Sequence, residues 1–189
     1  VGFAYDLLRY ECYLGNIGFN RWRQSQEGEG QVVVFSGEAG VGKSRIVEEF
    51  RSQLEDNTYG LIALSCSPFH TNSALYPVID CLIRVMEFRR DDPIATRADK
   101  LDAFIENLEL PLADIAPYLA PVLLETDLDR YAVPQGSPEE HRNKVSEALL
   151  ALMLAQSRLL PMIMIVEDAQ WLDPSSEEFL GLLIERLRS

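Results

Sequence analysis

Histidines, cysteines and basic residues are all scarce in this chain. Its 189 residues include two His, three Cys and 17 Lys or Arg against 30 Asp or Glu, giving a net charge of −13. So acidic a chain repels polyanions instead of steering them in, so a nucleic-acid role would have to lie outside this segment. Cys12, Cys66 and Cys81 show no C-x-x-C spacing and cannot all pair, which reads as reduced thiols in a cytosolic protein. No apolar run approaches the roughly 18 residues of a membrane span, and no signal peptide is visible. The longest run, around Leu149 to Leu154, is flanked by polar residues and reads as a core helix. Internal repeats and low-complexity tracts are absent too. Apolar residues are abundant at 47%, enough for a core and too many for a disordered chain. The length suits one domain of ordinary size, or a piece of a larger one.

The chain is organised around QVVVFSGEAGVGKSRIVEEF, Gln31 to Phe50. Gln31 to Phe35 is an apolar, β-branched run of strand length, followed by a glycine-rich turn and a helical pattern. Gly37, Gly42, Lys43 and Ser44 fit G-x-x-x-x-G-K-[ST], the phosphate-binding loop. Each residue type has a chemical reason. Backbone N–H groups from Gly40 to Ser44 must converge on anionic oxygens, and glycine lets the chain turn that tightly. The helix N-terminus adds partial positive charge. Lys43 would reach the β- and γ-phosphates, and Ser44 would give a hydroxyl to Mg²⁺. The predicted nucleotide-binding residues are Gly37, Glu38, Ala39, Gly40, Val41, Gly42, Lys43, Ser44 and Arg45. The bland alternative is a glycine-rich structural turn.

Val1 to Gln31 suggests one or two short helices interrupted by Gly15 and Gly18, with Trp22 as a packing residue and QEGEG, from Gln26, as a polar turn. Ile46, Val47, Phe50 and Leu54 give a helix over 45–54 one face against a sheet. GLIALSC, Gly60 to Cys66, reads as a second buried strand, making a strand–helix–strand crossover. A polar loop follows, where His70 either touches a ligand or is an ordinary loop residue. Helices are then expected from Pro77, over 95–108, over 111–124 and over 138–157, with His141 on the surface. The runs RRDD and ETDLDR read as solvated faces.

MIMIVEDAQW, from Met162, is the second chemical element. Met162 to Val166 fits a central parallel strand, and Glu167 and Asp168 at its tip give the Walker B pattern. One carboxylate holds a Mg²⁺-bound water and the other orients or deprotonates the attacking water. By position Glu167 is the metal-side acid and Asp168 the base candidate. Glu at the first position, where Asp is usual, leaves the two roles interchangeable. The catalytic candidates are thus Glu167, Asp168 and Lys43, and the metal candidates Ser44, Glu167 and Asp168. Ser175 and Glu178 suggest a capping box opening the last helix.

GEAGVGKSRIVEEF, SCSPFHTNSALYPVID and IVEDAQWLDPSSEEFLGLL together resemble the STAND-type signal-transduction ATPase module, an AAA+-related P-loop fold. The likeness, from about Gly28 to Leu187, is to copies downstream of the catalytic domain in bacterial class III adenylate/guanylate cyclases and in large LuxR-type regulators. It implies ATP/ADP switching with slow hydrolysis, usually ahead of a helical-repeat sensor region. Two departures stand out. Val1-Gly2-Phe3 lacks the nucleotide-holding Arg of the G-R-E-type stretch, and neither Arg9 nor Arg21 can be assigned in its place. The family's next strand, with its polar sensor residue, and the lid would lie beyond Ser189.

These readings converge on an α/β fold, a P-loop NTPase-like parallel sheet flanked by helices. A lead-in over 1–30 would precede an incomplete domain over 31–189, mostly helical over 67–158 and truncated before the sensor strand. The expected cofactors are ATP or ADP with Mg²⁺. The expected partners are nucleotide and other domains of a larger cytoplasmic protein, with neither nucleic acid nor membrane. The rival is a binding module without turnover. A small-molecule phosphotransferase is disfavoured by the tandem acids, which suit water as nucleophile, and by the lack of an Arg-rich lid. No N/T-K-x-D guanine signature is present, which tilts the base preference toward adenine.

Overall fold

A computed structural model describes residues 18–38, 40–54, 58–124, 130–132 and 135–187. The chain divides into two compact units. One takes the described residues up to Tyr59 with those from Leu182 onward, and the other is Gly60–Gly181. The readings placed on 1–17, including Cys12, Arg9 and the Val1-Gly2-Phe3 start, lie outside the described residues.

In the first unit, α1 covers the described residues 18–26 and α2 is Lys43–Ser52. Gly18 lets α1 approach the Phe50 ring, which a Cβ would meet at 3.1 Å. Trp22 is buried, edge-on to Tyr59 at 5.9 Å between centroids, which makes it the expected packing residue. The turn at 27–28 uses Gly28 in a left-handed conformation, φ 95°.

The expected first strand does not form: 31–38 carries no strand pairing. Val32, Val33 and Val34 are exposed, Val34 to 82%. β-Branched residues favour extended backbone, but a strand also needs a neighbour to take its N–H and C=O groups. The segment is held instead by side chains. Arg21 donates to Gln31 Oε1 at 3.0 Å, and Gln31 Nε2 donates to the Glu29 carbonyl at 3.0 Å. Gly30 lies so close to Leu187 that an added Cβ would meet it at 2.6 Å.

In the second unit, β1 (Gly60–Ser65) and β2 (Met162–Glu167) pair in parallel, with Gly60 opposite Met162 and Ser65 opposite Glu167. Both strands fall where the apolar runs place them. β2 is not central, however: its one partner among the described residues is β1, and none of its side chains is fully buried. Between the strands come α3 (Tyr76–Val85), α4 (Ile94–Asn107), α5 (Leu112–Leu124) and α6 (Pro138–Leu159). A short 3-10 turn, Ala169–Trp171, leads to α7, Pro174–Leu187, which belongs to this unit as far as Gly181. Helix α3 packs on β1 and α5, α4 packs on α5, and α5 packs on α6. Their apolar stripes close one core around Leu64, Val78, Leu101, Ile105, Leu119 and Phe179, each at most 1% exposed.

Two charge runs hold pairs that the sequence did not single out. Of the run ending at Arg130 only that residue is described, and it is exposed yet paired. Arg130 pairs with Asp99 at 2.5 Å and with the buried Asp102, which also accepts the Tyr131 hydroxyl at 2.6 Å. Burial, followed by that carboxylate, pushes the Tyr131 hydroxyl well above its usual pKa. In RRDD, Arg89, Arg90 and Asp91 are exposed as expected, while the half-buried Asp92 accepts from Lys100 at 2.8 Å and from the Arg89 N–H at 2.9 Å, and these bonds lower its pKa. Such a pair needs a cation a turn or more away, which a local charge run does not reveal.

Candidate functional site

The glycine-rich turn is shaped as its residue types demand. Gly40 and Gly42 have φ of 80° and 96°, left-handed values that a β-carbon disfavours. At Gly37 an added Cβ would meet Val41 Cγ1 at 3.0 Å. Val41 N–H reaches back to the Glu38 carbonyl at 3.4 Å, and Ile46 N–H bonds the Gly42 carbonyl at 3.1 Å, opening α2. Gly42 is the N-cap and has no side chain to offer the first-turn N–H groups. Lys43 folds over its own loop, donating to the Gly37 and Glu38 carbonyls at 2.9 Å each. Glu38, Gly40, Ser44 and Arg45 are exposed, while Val41, Gly42 and Lys43 are half-buried. Ala39 lies outside the described residues.

This arrangement suits a phosphate. An uncapped helix start carries partial positive charge, and the lysine beside it supplies a whole one. An ionised phosphate is a stronger acceptor than the neutral carbonyls that Lys43 now holds. The residues gathered here are Gly37, Glu38, Gly40 to Ser44 and Arg45, all in the first unit.

The acids stand at the C-terminal end of the parallel pair, in the second unit. Glu167 closes β2 and is exposed, and its carbonyl accepts the Cys66 N–H at 3.1 Å. Asp168 leaves the strand in a left-handed conformation, φ 55°. Its Oδ1 accepts from Gln170 Nε2 at 3.0 Å. The buried Cys66 thiol lies close by; burial raises its pKa, and the charges of Asp173 and Asp168 add to that. Among the described residues no three His, Cys, Asp or Glu side chains gather to hold a metal. Mg²⁺ does not require such a cage, because it keeps waters and substrate phosphates as ligands.

Asp173 was not singled out by the sequence reading, yet it orders this edge. Only 2% exposed, it caps α7 through the N–H groups of Ser175 and Ser176 at 3.1 and 3.0 Å. The same Oδ1 accepts the N–H of Leu75 at 2.9 Å, and Oδ2 accepts the Ser176 hydroxyl at 2.5 Å. This corrects the expected capping box: Asp173, not Ser175, is the N-cap, and Pro174 takes the first helical position. The signal was the Asp-Pro pair, since proline favours N1 and the residue before it avoids helical backbone. The clamp joins the two distinctive motif stretches, SALYP and LDPSS, in one turn-to-helix contact. His70 stacks on Tyr76 at 3.6 Å, and its backbone closes turns to Ser67 and Ser73. His141, half-buried, bonds the Ser137 carbonyl at 3.0 Å at the start of α6.

No helix among the described residues is long and apolar enough to cross a membrane. No solved structure matches the chain. A protein of Rhizobium meliloti (strain 1021), described as uncharacterized, is 30% identical over 177 residues. That alignment takes in 93% of this chain but 17% of the relative's length. The sequence profile of the AAA ATPase domain matches residues 19–189, nearly the whole chain and both motif regions. On that match, and with a glycine-shaped phosphate loop and a carboxylate-tipped parallel strand in place, the chain belongs to the AAA ATPase domain family.

Proposed function

We propose that this chain is an ATP-binding, slowly hydrolysing regulatory switch module within a larger cytoplasmic signalling protein of the cyclase-associated or transcriptional-regulator kind. The observation that carries the reading is the Lys43 ammonium. It lies across the Gly37 and Glu38 carbonyls beside a helix start that no side chain caps. Nucleotide phosphate would take over those donors and the loop N–H groups, with Gly37 to Arg45 as the cradle. Bound Mg²⁺ would draw charge from the phosphates. Ser44 would offer it a hydroxyl, one of Glu167 and Asp168 would hold its water, and the other would orient the attacking water. The phosphate state would then bias neighbouring domains. The relative, of which the chain spans 17%, has length in which such domains could stand.

Binding without turnover is the second reading. It is favoured by the local engagement of Asp168, whose carboxylate already accepts from Gln170. Titration calorimetry with ATP and ADP, with and without Mg²⁺, tests the first step. Binding is expected in the native chain and should fall at least about a hundredfold in Lys43→Ala, the loss of two or more charge-assisted bonds. A folded native chain that binds neither nucleotide would overturn both readings. Phosphate release that ends with Asp168→Asn while binding persists supports the switch; binding with no release supports the second reading.

A further inference from the structure

A cavity of about 260 Å³, with none of the predicted site residues in its lining, opens in the second unit. Leu75, Val122 and Val145 give it an apolar lining. Two helices bring opposite charges to it: Arg142 from α6 and Glu178 from α7. Among the described residues, neither side chain forms a hydrogen bond or an ion pair, with each other or with anything else. Asn143, Ser146 and Ser175 add neutral donors and acceptors. Arg142 and Glu178, neither engaged elsewhere among the described residues, thus line one largely apolar cavity.

We propose that this cavity is a binding site for a small zwitterion with an apolar side chain, the chemistry of a free aliphatic α-amino acid. Its carboxylate would meet the planar fork of Arg142, which suits carboxylates. Its ammonium would meet Glu178, and its side chain would lie on Leu75, Val122 and Val145. The volume falls below the roughly 300–1,000 Å³ of sites for drug-sized ligands, so a nucleotide is too large and an amino acid is of the right order. One wall is set in advance, because Asp173 holds the Leu75 N–H whether or not the cavity is filled. Both charged groups remain exposed, so binding is weak and is read best by a method suited to weak ligands.

The test is an amide NMR titration of the whole chain with L-leucine, and separately with isocaproate and isopentylamine, which each keep one of its two charges. Saturable shifts around Leu75 and Val145 are expected with leucine, and affinities at least about tenfold weaker with either analogue. Arg142→Ala and Glu178→Ala should each weaken leucine binding by about tenfold or more, in line with one charged contact. Spectra away from the cavity should be unchanged, since both side chains are exposed. Lys43→Ala should leave leucine binding intact, which separates this site from the nucleotide reading. Absence of saturable shifts, isocaproate or isopentylamine binding as tightly as leucine, or native affinity in both cavity variants would overturn the proposal.

Discussion

Asp173 accepts three backbone N–H groups and one hydroxyl while almost wholly out of water, so its loss strands donors on two elements at once. A lost cap costs about 0.5–2 kcal/mol, and a buried unsatisfied N–H about 1–3 kcal/mol. Asp173→Ala should therefore destabilise the chain by about 2–4 kcal/mol in urea unfolding, within reach of unfolding a marginal domain. Asp173→Asn keeps an accepting oxygen and a favoured cap residue, so it should lose markedly less. Equal losses in the two variants would mean that charge, not bond count, holds the clamp. This residue shows how far single positions were legible. The shape of the glycine-rich turn could be read because its spacing puts glycines where the backbone is left-handed. The Asp173–Leu75 bond could not, because its partners lie 98 positions apart and Leu75 carries no sequence signal for its left-handed backbone. The pairing of Arg130 with Asp102 was hidden for the same reason.

Elements were more legible than contacts. The helices fall within a few residues of their apolar periodicity, and β1 and β2 sit on their apolar runs. The failure at Gln31 to Phe35 is instructive, since its composition is as strand-like as that of β2. What separates the two is a neighbour: β2 has β1 beside it, while 31–38 has no strand partner among the described residues. Helix α5 makes the converse point, since it continues through Pro117 and Pro121, residues that ordinarily interrupt helices. Burial of Ile115, Ala116, Leu119 and Leu123 outweighs the lost hydrogen bonds. In α7, Gly181 has nothing within 4 Å of where a Cβ would stand and has no positive φ. Its place in a helix costs about 0.5–1 kcal/mol relative to alanine, and no packing explains it. The two compact units also divide there, between Gly181 and Leu182. Gly181→Ala should thus raise stability by about 0.5–1 kcal/mol, measured as a shift in urea midpoint at unchanged slope. A loss of stability instead would show that the glycine's backbone freedom is needed in the native state.

At the scale of the whole chain, strong net charge opposes an exposed apolar segment. Like charge at −13 keeps copies apart, while Val32 to Val34 offer an exposed, β-branched run with no strand partner among the described residues. Segments of this kind associate edge to edge unless a charge interrupts them. Val34→Glu places a charge at the most exposed of the three and should lower self-association, seen as less light scattering at equal concentration. An unchanged or higher signal would locate self-association elsewhere. The effect should grow with added salt, which screens the overall repulsion and leaves the apolar contact in place.

The parallel pairing of β1 and β2 also has a consequence in time. Gly60 meets Met162 across about a hundred intervening residues. At roughly 5–20 residues per second, β1 leaves the ribosome several seconds before its partner has been made. Through that interval Leu64, which ends wholly buried, has only the emerging helices to shelter it. The α3–α6 segment therefore serves as an early cover for a strand whose sheet does not yet exist, and the pace of translation is part of what this sequence must survive.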